Sequence, residues 1–294
     1  MSLSILTNIN AMDTHRNLQA SSMSVSTAMQ RLSSGLRINS AADDAAGYAI
    51  SQGLTSQVNG LDQASRNVSD AASMTQTADG ALNNVQSMLQ RISELAVQYQ
   101  NGDLSQSNQS DIQSEVDQLT LEINRQSTSV QFNNINLLDG TAGGAGGPGV
   151  TFQVGPGASD TLTVSFANVE GSNGLGITGF SWTNISSGAL TSGTHVLNLA
   201  SLGSTAISTI NAAIDNISNL AANLGAVQNR LQYTANAISV TEENMSASLS
   251  SIQDVDMASE MTKLTQQQVL QQAGTAMLAQ ANSQPQLVLK LITG

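Results

Sequence analysis

Between Ile210 and Ile252 apolar residues recur every three, four or seven positions: Ile210, Ile214, Ile217, Leu220, Leu224, Val227, Leu231, Ile238, Met245, Leu249 and Ile252. That spacing gathers them on one side of an α-helix, in a strip that reads as a coiled-coil seam rather than the face of an ordinary surface helix. No proline interrupts the run. About 45 residues at ~1.5 Å each make a rod of roughly 65 Å, longer than a compact globule needs. A helix of this length needs partners of similar length to cover its seam.

The first 139 residues supply candidates and also lack proline. Leu54, Val58, Leu61, Val68, Leu82, Val85, Leu89, Ile92 and Ala96 form one stripe, and Ile112, Val116, Leu119, Ile123 and Val130 a second. Asn101-Gly102, between them, is a helix-stop and turn signal, so the two helices are expected to lie antiparallel. From Gly140 to Gly203 the chain becomes rich in Gly, Ser and Thr. There "VTFQV" and "TLTVSF" place Val150, Phe152, Val154 and Leu162, Val164, Phe166 on alternating positions, and the intervening "GPGASD" is turn chemistry. This predicts a β-hairpin packed on the helices, since two strands alone are marginal. "TAGGAGGPG" ahead of it reads as a flexible linker. The remainder of the block, with Trp182 and His195, is irregular or short-stranded. The fold class is therefore mainly α: long antiparallel helices in a coiled-coil rod with a small β-hairpin region.

Composition excludes several functions. Net charge is −12, which opposes nucleic acid or acidic lipid as a partner. Cysteine is absent, so disulfides and thiolate metal sites are impossible. Aromatics are 3%, which leaves an aliphatic, alanine-rich core suited to closely packed helices. The N-terminus has no basic n-region or apolar h-region, and no stretch approaches the roughly 20 apolar residues of a membrane span. Taken alone, these features suggest a soluble cytoplasmic protein. No catalytic constellation emerges. His15 and His195 are the only histidines, "AGGAGGPG" lacks the Gly-Lys-Ser/Thr of a phosphate loop, and "DVDMASE" lacks the glycine and final glutamate of a calcium loop. Acids ahead of a helix N-terminus explain Asp254, Asp256 and Glu260 better. No enzyme activity, cofactor or metal is expected. Asn67, Asn184, Asn216 and Asn244 match N-x-S, which carries little weight, and Ser and Thr of the middle block are candidates for O-glycosylation.

The charged residues of "QRLSSGLRINSAADDAAGYAIS" (Gln30 to Ser51) stand out in a chain with only 10% charge. Ser40 and Asp43 form a capping-box-like S-x-x-D ahead of an alanine-rich run, which would put Asp43 and Asp44 in the first helical turn. Gly35 marks a break after an earlier helix ending near Arg31 or Leu32. Arg31 and Arg37 either flank that break in solvent or bridge to acids of a neighbouring chain.

This stretch resembles the N-terminal signature of bacterial flagellins. Four further segments resemble the family in its order: "VQSMLQRISELAVQYQNGDLS", "VQFNNINLLDG", "NLGAVQNRLQYT" and "VLQQAGTAMLAQANSQPQLVLKLI". Both ends of the chain take part; only the middle, where flagellins differ, does not. The resemblance implies paired N- and C-terminal helices forming the inner filament core (1–40 with 256–294). It implies a helical rod domain in the outer tube wall (41–140 with 204–255), and a short variable region, 141–203, with little or no outer domain. It implies that Leu18, Val25, Met29 and Leu32, with Leu270, Ala273, Met277, Leu278 and Ala281, are core assembly residues. Arg31, Arg37, Asp43 and Asp44 become inter-subunit polar contacts. The implied partners are identical copies, an export chaperone, and cap and junction proteins. The implied location is outside the cell, reached by type III export without a cleaved signal. Toll-like receptor 5 is a further candidate, through Arg91, Leu95, Gln98 and Glu115, which otherwise serve axial subunit contacts. Alternatives are a hook–filament junction protein and a secreted coiled-coil adhesin.

Overall fold

The computed structural model describes residues 8–142, 149–166, 169 and 197–293; most of the expected linker, together with Trp182 and His195, lies outside the described residues. In order the elements are α1 (Ile9–Ser34), α2 (Ala45–Tyr99), α3 (Gln106–Ser129), β1 (Gln131–Phe132), β2 (Ile135–Asn136), β3 (Val150–Gln153), β4 (Thr161–Val164), α4 (Leu199–Leu202), α5 (Thr205–Gln253) and α6 (Met257–Thr293). The chain forms two compact units, Asn59–Glu242 and Met1–Val58 with Glu243–Gly294, and the division falls within α2 and α5.

The unit of 59–242 holds the main core. Its seam on α5 is Ala206, Ile210, Ala213, Ile217, Leu224, Leu231 and Ile238, all buried at heptad-related spacing. Ile214, Leu220 and Val227 flank the seam half-buried. On α2 the buried line runs through Leu61, Val68, Leu82, Val85, Leu89 and Ile92, with Ala64, Ala71 and Ala78 between them. Alanine at so many seam positions lets helix backbones approach closely, so few aromatics are needed. The α2 and α3 helices meet as an antiparallel hairpin: Arg91 and Glu115, about equally far from the turn at 100–105, form an ion pair at 2.9 Å.

The structure departs from the expected helix at Val130. That residue is the extended cap after α3, with its N–H on the Gln126 carbonyl at 3.1 Å. The chain then turns at once: Asn133 and Asn134 have φ of 48° and 64°, and Phe132 pairs with Ile135. Asparagine tolerates this left-handed conformation, and two such residues in succession match the primed hairpin turns. The reversal brings Leu137 and Leu138 into the core, both fully buried. Just beyond, burial alone would raise the Asp139 carboxyl, but hydrogen bonds from the Thr141 hydroxyl and amide and from Asn136 outweigh it and hold the group below its ordinary value.

The second hairpin forms where expected, with Val150 opposite Val164 and Phe152 opposite Leu162. Leu162 and Val164 are buried, and Phe152 and Phe166 pack against the same core. Asp160 closes the loop by accepting from the Gly157 amide at 2.9 Å. Asn67 of α2 donates to the Gln153 carbonyl at 2.9 Å and ties the hairpin down, a structural role for one of the N-x-S asparagines. Where the chain re-enters the core, buried Gln113 donates to the Leu197 carbonyl at 2.7 Å and accepts from the Leu199 amide at 3.0 Å. Buried polar groups need such pairing.

Leu89→Ala removes a fully buried seam side chain and should cost about 2–5 kcal/mol in urea unfolding. Val97→Ala, on the exposed side of the same helix, should change stability by less than about 0.5 kcal/mol.

Candidate assembly surface

The unit of 1–58 and 243–294 pairs α1 with α6. Three ties fix an antiparallel register. The Asn8 amide donates to the Ala281 carbonyl at 2.8 Å. Leu18 faces Gly274, where an added Cβ would lie 3.4 Å from its Cδ1. Arg31 lies 3.8 Å from Glu260. Positions turned toward the partner keep a heptad rhythm: Ala11, Thr14, Leu18, Ser21, Val25, Ala28 and Leu32 on α1, and Glu260, Leu264, Gln267, Gln271, Gly274, Leu278 and Ala281 on α6. Of these only Ala28, Glu260 and Ala281 are buried. A fully buried leucine contributes roughly 1.5–3 kcal/mol. Here the leucines are half-covered and alternate with Thr, Ser and Gln, so the pair is thinly held.

On the sides turned away from the seam, large apolar side chains stand in water. They are Ile9, Met12, Met23 and Met29 on α1, and Met257, Met261, Val269, Leu270 and Met277 on α6, each between 47% and 67% exposed. A shallow, mainly apolar groove runs along Thr262, Thr265, Gln266, Val269 and Leu270. The single stripe expected on each helix thus resolves into two groups. Leu18, Val25, Leu32, Leu278 and Ala281 face the seam; Met29, Leu270, Ala273 and Met277 face out.

At the joint between the helices the charged signature residues take specific posts. Gly35 ends α1 at φ 74°, with its N–H on the Arg31 carbonyl at 2.9 Å. The next residues pair with the segment joining α5 to α6. The Arg37 amide donates to the Gln253 carbonyl at 2.7 Å, and the Val255 amide to the Gly35 carbonyl at 3.0 Å. Leu36 and Asp254 form an antiparallel bridge. The Arg37 guanidinium donates to the Ile252 carbonyl at 2.6 Å, a cation at the C-terminus of α5 where the helix dipole favours it. Arg31 and Arg37 therefore have partners within their own chain.

Asp43 and Asp44 lie before α2, not in its first turn. The Asp44 carboxylate accepts from the Ala46 and Gly47 amides at 3.1 and 3.0 Å and so caps the helix. Asp43 closes the preceding turn, accepting from the Ser40 hydroxyl and amide and the Asn39 amide. The expected box fails because Ser40 donates to Asp43 instead of capping; Asp44, adjacent to the helix, is better placed. The Ser40 hydroxyl first, then these amides, hold the Asp43 carboxyl below its ordinary value. Asp256 caps α6 in the same way, accepting from Ala258 and Ser259. Gly47 packs so tightly that a Cβ there would lie 2.6 Å from Cδ1 of buried Ile38.

In the other unit, Arg91 binds Glu115 and Glu94, and both Arg91 and Gln98 are exposed. Leu95 does not join them at the surface: it is 1% exposed and belongs to the core cluster. Among the described residues no group of three or more His, Asp or Glu is placed to hold a metal, and no helix is long and apolar enough to cross a membrane.

Comparison with known proteins decides the family. The family model described as the bacterial flagellin N-terminal helical region matches residues 5–143, and that of the bacterial flagellin C-terminal helical region matches residues 207–292. The chain belongs to the bacterial flagellin family. A flagellin of Halalkalibacterium halodurans is 41% identical over 97% of this chain and 98% of its own length. The flagellar filament 33 kDa core protein of Treponema phagedenis is likewise 41% identical, with the same coverages. A crystal structure of Bacillus cereus flagellin is 27% identical, with a TM-score of 0.46 over 63% of this chain and 94% of that one. As a flagellin of short form, the chain is a structural subunit of the flagellar filament outside the cell.

Asp43 stabilises its turn as the carboxylate, fully above the ordinary value and decreasingly as pH falls through its lowered one. The Asn39 and Ser40 amide resonances should therefore titrate with a midpoint below the ordinary carboxyl value of 3.8. In Asp43→Asn that acid shift should vanish.

Proposed function

We propose that α1 and α6, within residues 1–40 and 256–294, form the inner core of the filament, with 41–140 and 204–255 as the outer wall and 141–203 as part of that wall. The observation that carries this reading is the row of large apolar side chains standing in water on two helices whose mutual seam is thin. Such surface is unfavourable on a solitary protein and is covered when copies pack together. Met29, Leu270, Ala273 and Met277 meet neighbouring subunits directly. Leu18, Val25, Leu32, Leu278 and Ala281 hold the pair that presents them. Copies related by a rotation that does not close give an open helical tube. Low charge on these helices limits repulsion between many packed copies.

Arg37, Asp43 and Asp44 are exposed and so able to meet adjacent subunits while keeping their posts at the joint; Arg31 acts mainly through Glu260. The subunit leaves the cell by type III export without a cleaved signal, and a chaperone covers the outward face of α6 until then. Cap and junction proteins bound the polymer at its ends. The chain has no chemistry of its own.

Purified subunits seeded onto filament fragments test the reading. The intact chain should extend the seeds into long homopolymers. Leu270→Asp, at a site exposed in the monomer, should slow extension at least tenfold with no change in monomer melting. Intact chains that never extend would point to a junction protein or an adhesin.

The exposed cluster of Arg91, Glu115 and Gln98, backed by buried Leu95, is the proposed axial contact and the proposed site for Toll-like receptor 5. Arg91→Ala should reduce receptor activation by free subunits severalfold in a reporter-cell assay. Unchanged activation would remove the receptor from the partners of this cluster.

A further inference from the structure

The apolar side chains left in water on α1 and α6 are of an unusual kind. Six of the ten methionines are among them: Met12, Met23 and Met29 on α1, and Met257, Met261 and Met277 on α6. Their exposure runs from 50% to 67%, whereas Met74, in the core of the other unit, is 2% exposed. A thioether is a soft, apolar group that packs adaptably. It is also the side chain that a peroxide converts most simply into a polar one, and access decides which methionines react.

We propose that these six methionines are a reversible oxidation site that switches the free subunit between assembling and non-assembling forms. The inference rests on the reading that the outward faces of α1 and α6 become buried between subunits. In the chemical step the sulfur lone pair attacks one oxygen of a hydroperoxide and the O–O bond breaks. The sulfur gains one oxygen and is oxidised by two electrons. Hydrogen peroxide is reduced to water, so atoms and electrons balance. The product sulfoxide is a strong hydrogen-bond acceptor where the thioether was an apolar packing group, so a contact built for the thioether supplies it no matched donor. Burying such a group without a partner is unfavourable, and the cost recurs at several positions in every subunit added. On the bare subunit the sulfurs are open to solvent; after assembly the same packing that needs them reduced also shields them. Fold stability is spared, because none of the six lies in the buried core.

The test uses full-length monomer exposed to hydrogen peroxide until peptide mass mapping shows sulfoxide at Met12, Met23, Met29, Met257, Met261 and Met277 with Met74 still reduced. Seeded extension is then measured for untreated, oxidised and repaired protein. Repair uses both methionine sulfoxide reductases, one for each sulfoxide epimer. Extension should fall at least tenfold on oxidation and return to within twofold of the untreated rate after repair. Oxidised subunits that extend at the untreated rate overturn the inference, as does a loss that the reductases do not reverse. Untreated subunits that fail to extend would instead sink the assembly reading on which it depends.

Discussion

Covering the long seam of α5 is the requirement from which the architecture follows. Ile210, Ile217, Leu224, Leu231 and Ile238 need a facing surface over most of the helix, and α2 provides it with its own line from Leu61 to Ile92. The hairpins answer the same need locally. Asn133-Asn134 folds Leu137 and Leu138 back onto the core, and β3–β4 adds Leu162, Val164 and two phenylalanines. Small residues carry much of the close packing, so the seam is tight without being bulky.

The contrast between the two units is energetic. In 59–242 the buried positions are Leu, Ile, Val, Met and Ala, with a few polar groups that find partners, such as Gln113. In the terminal pair the seam is interrupted by Thr14, Ser21, Gln267, Gln271 and Gly274, and several large apolar residues point outward. One unit has its stability within the chain. The other leaves large apolar side chains in water.

Much of this was legible in the sequence, and the limits have physical causes. The seams of α2 and α5 were readable because helical periodicity accumulates over many turns, whereas a short hairpin offers only a few residues. Asn-Asn lacks the glycine that usually marks a primed turn, so the sequence does not reveal β1 and β2, and periodicity alone carries Val130 into a helix it only ends. The break at Gly35 was visible, but the roles of Asp43 and Asp44 depended on which carboxylate sat next to the first free amides, a matter of one residue. Residue type identified Leu18 and Met29 alike as apolar. Only the geometry separates the side chains that close the seam from those that face away, and the same geometry removes Leu95 from the surface that Arg91 and Gln98 occupy.

Within the variable region, Val169 and Leu197 are fixed anchors. Val169, fully buried, donates its amide to the Leu138 carbonyl at 2.8 Å, and Leu197, also fully buried, is held by Gln113. Both attachments are made to residues outside 170–196. Doubling the length of a flexible loop adds only about 0.6 kcal/mol of closure entropy. A passenger peptide or small folded module spliced between those two points would therefore leave the scaffold thermodynamically almost indifferent, and each copy in the polymer would display one.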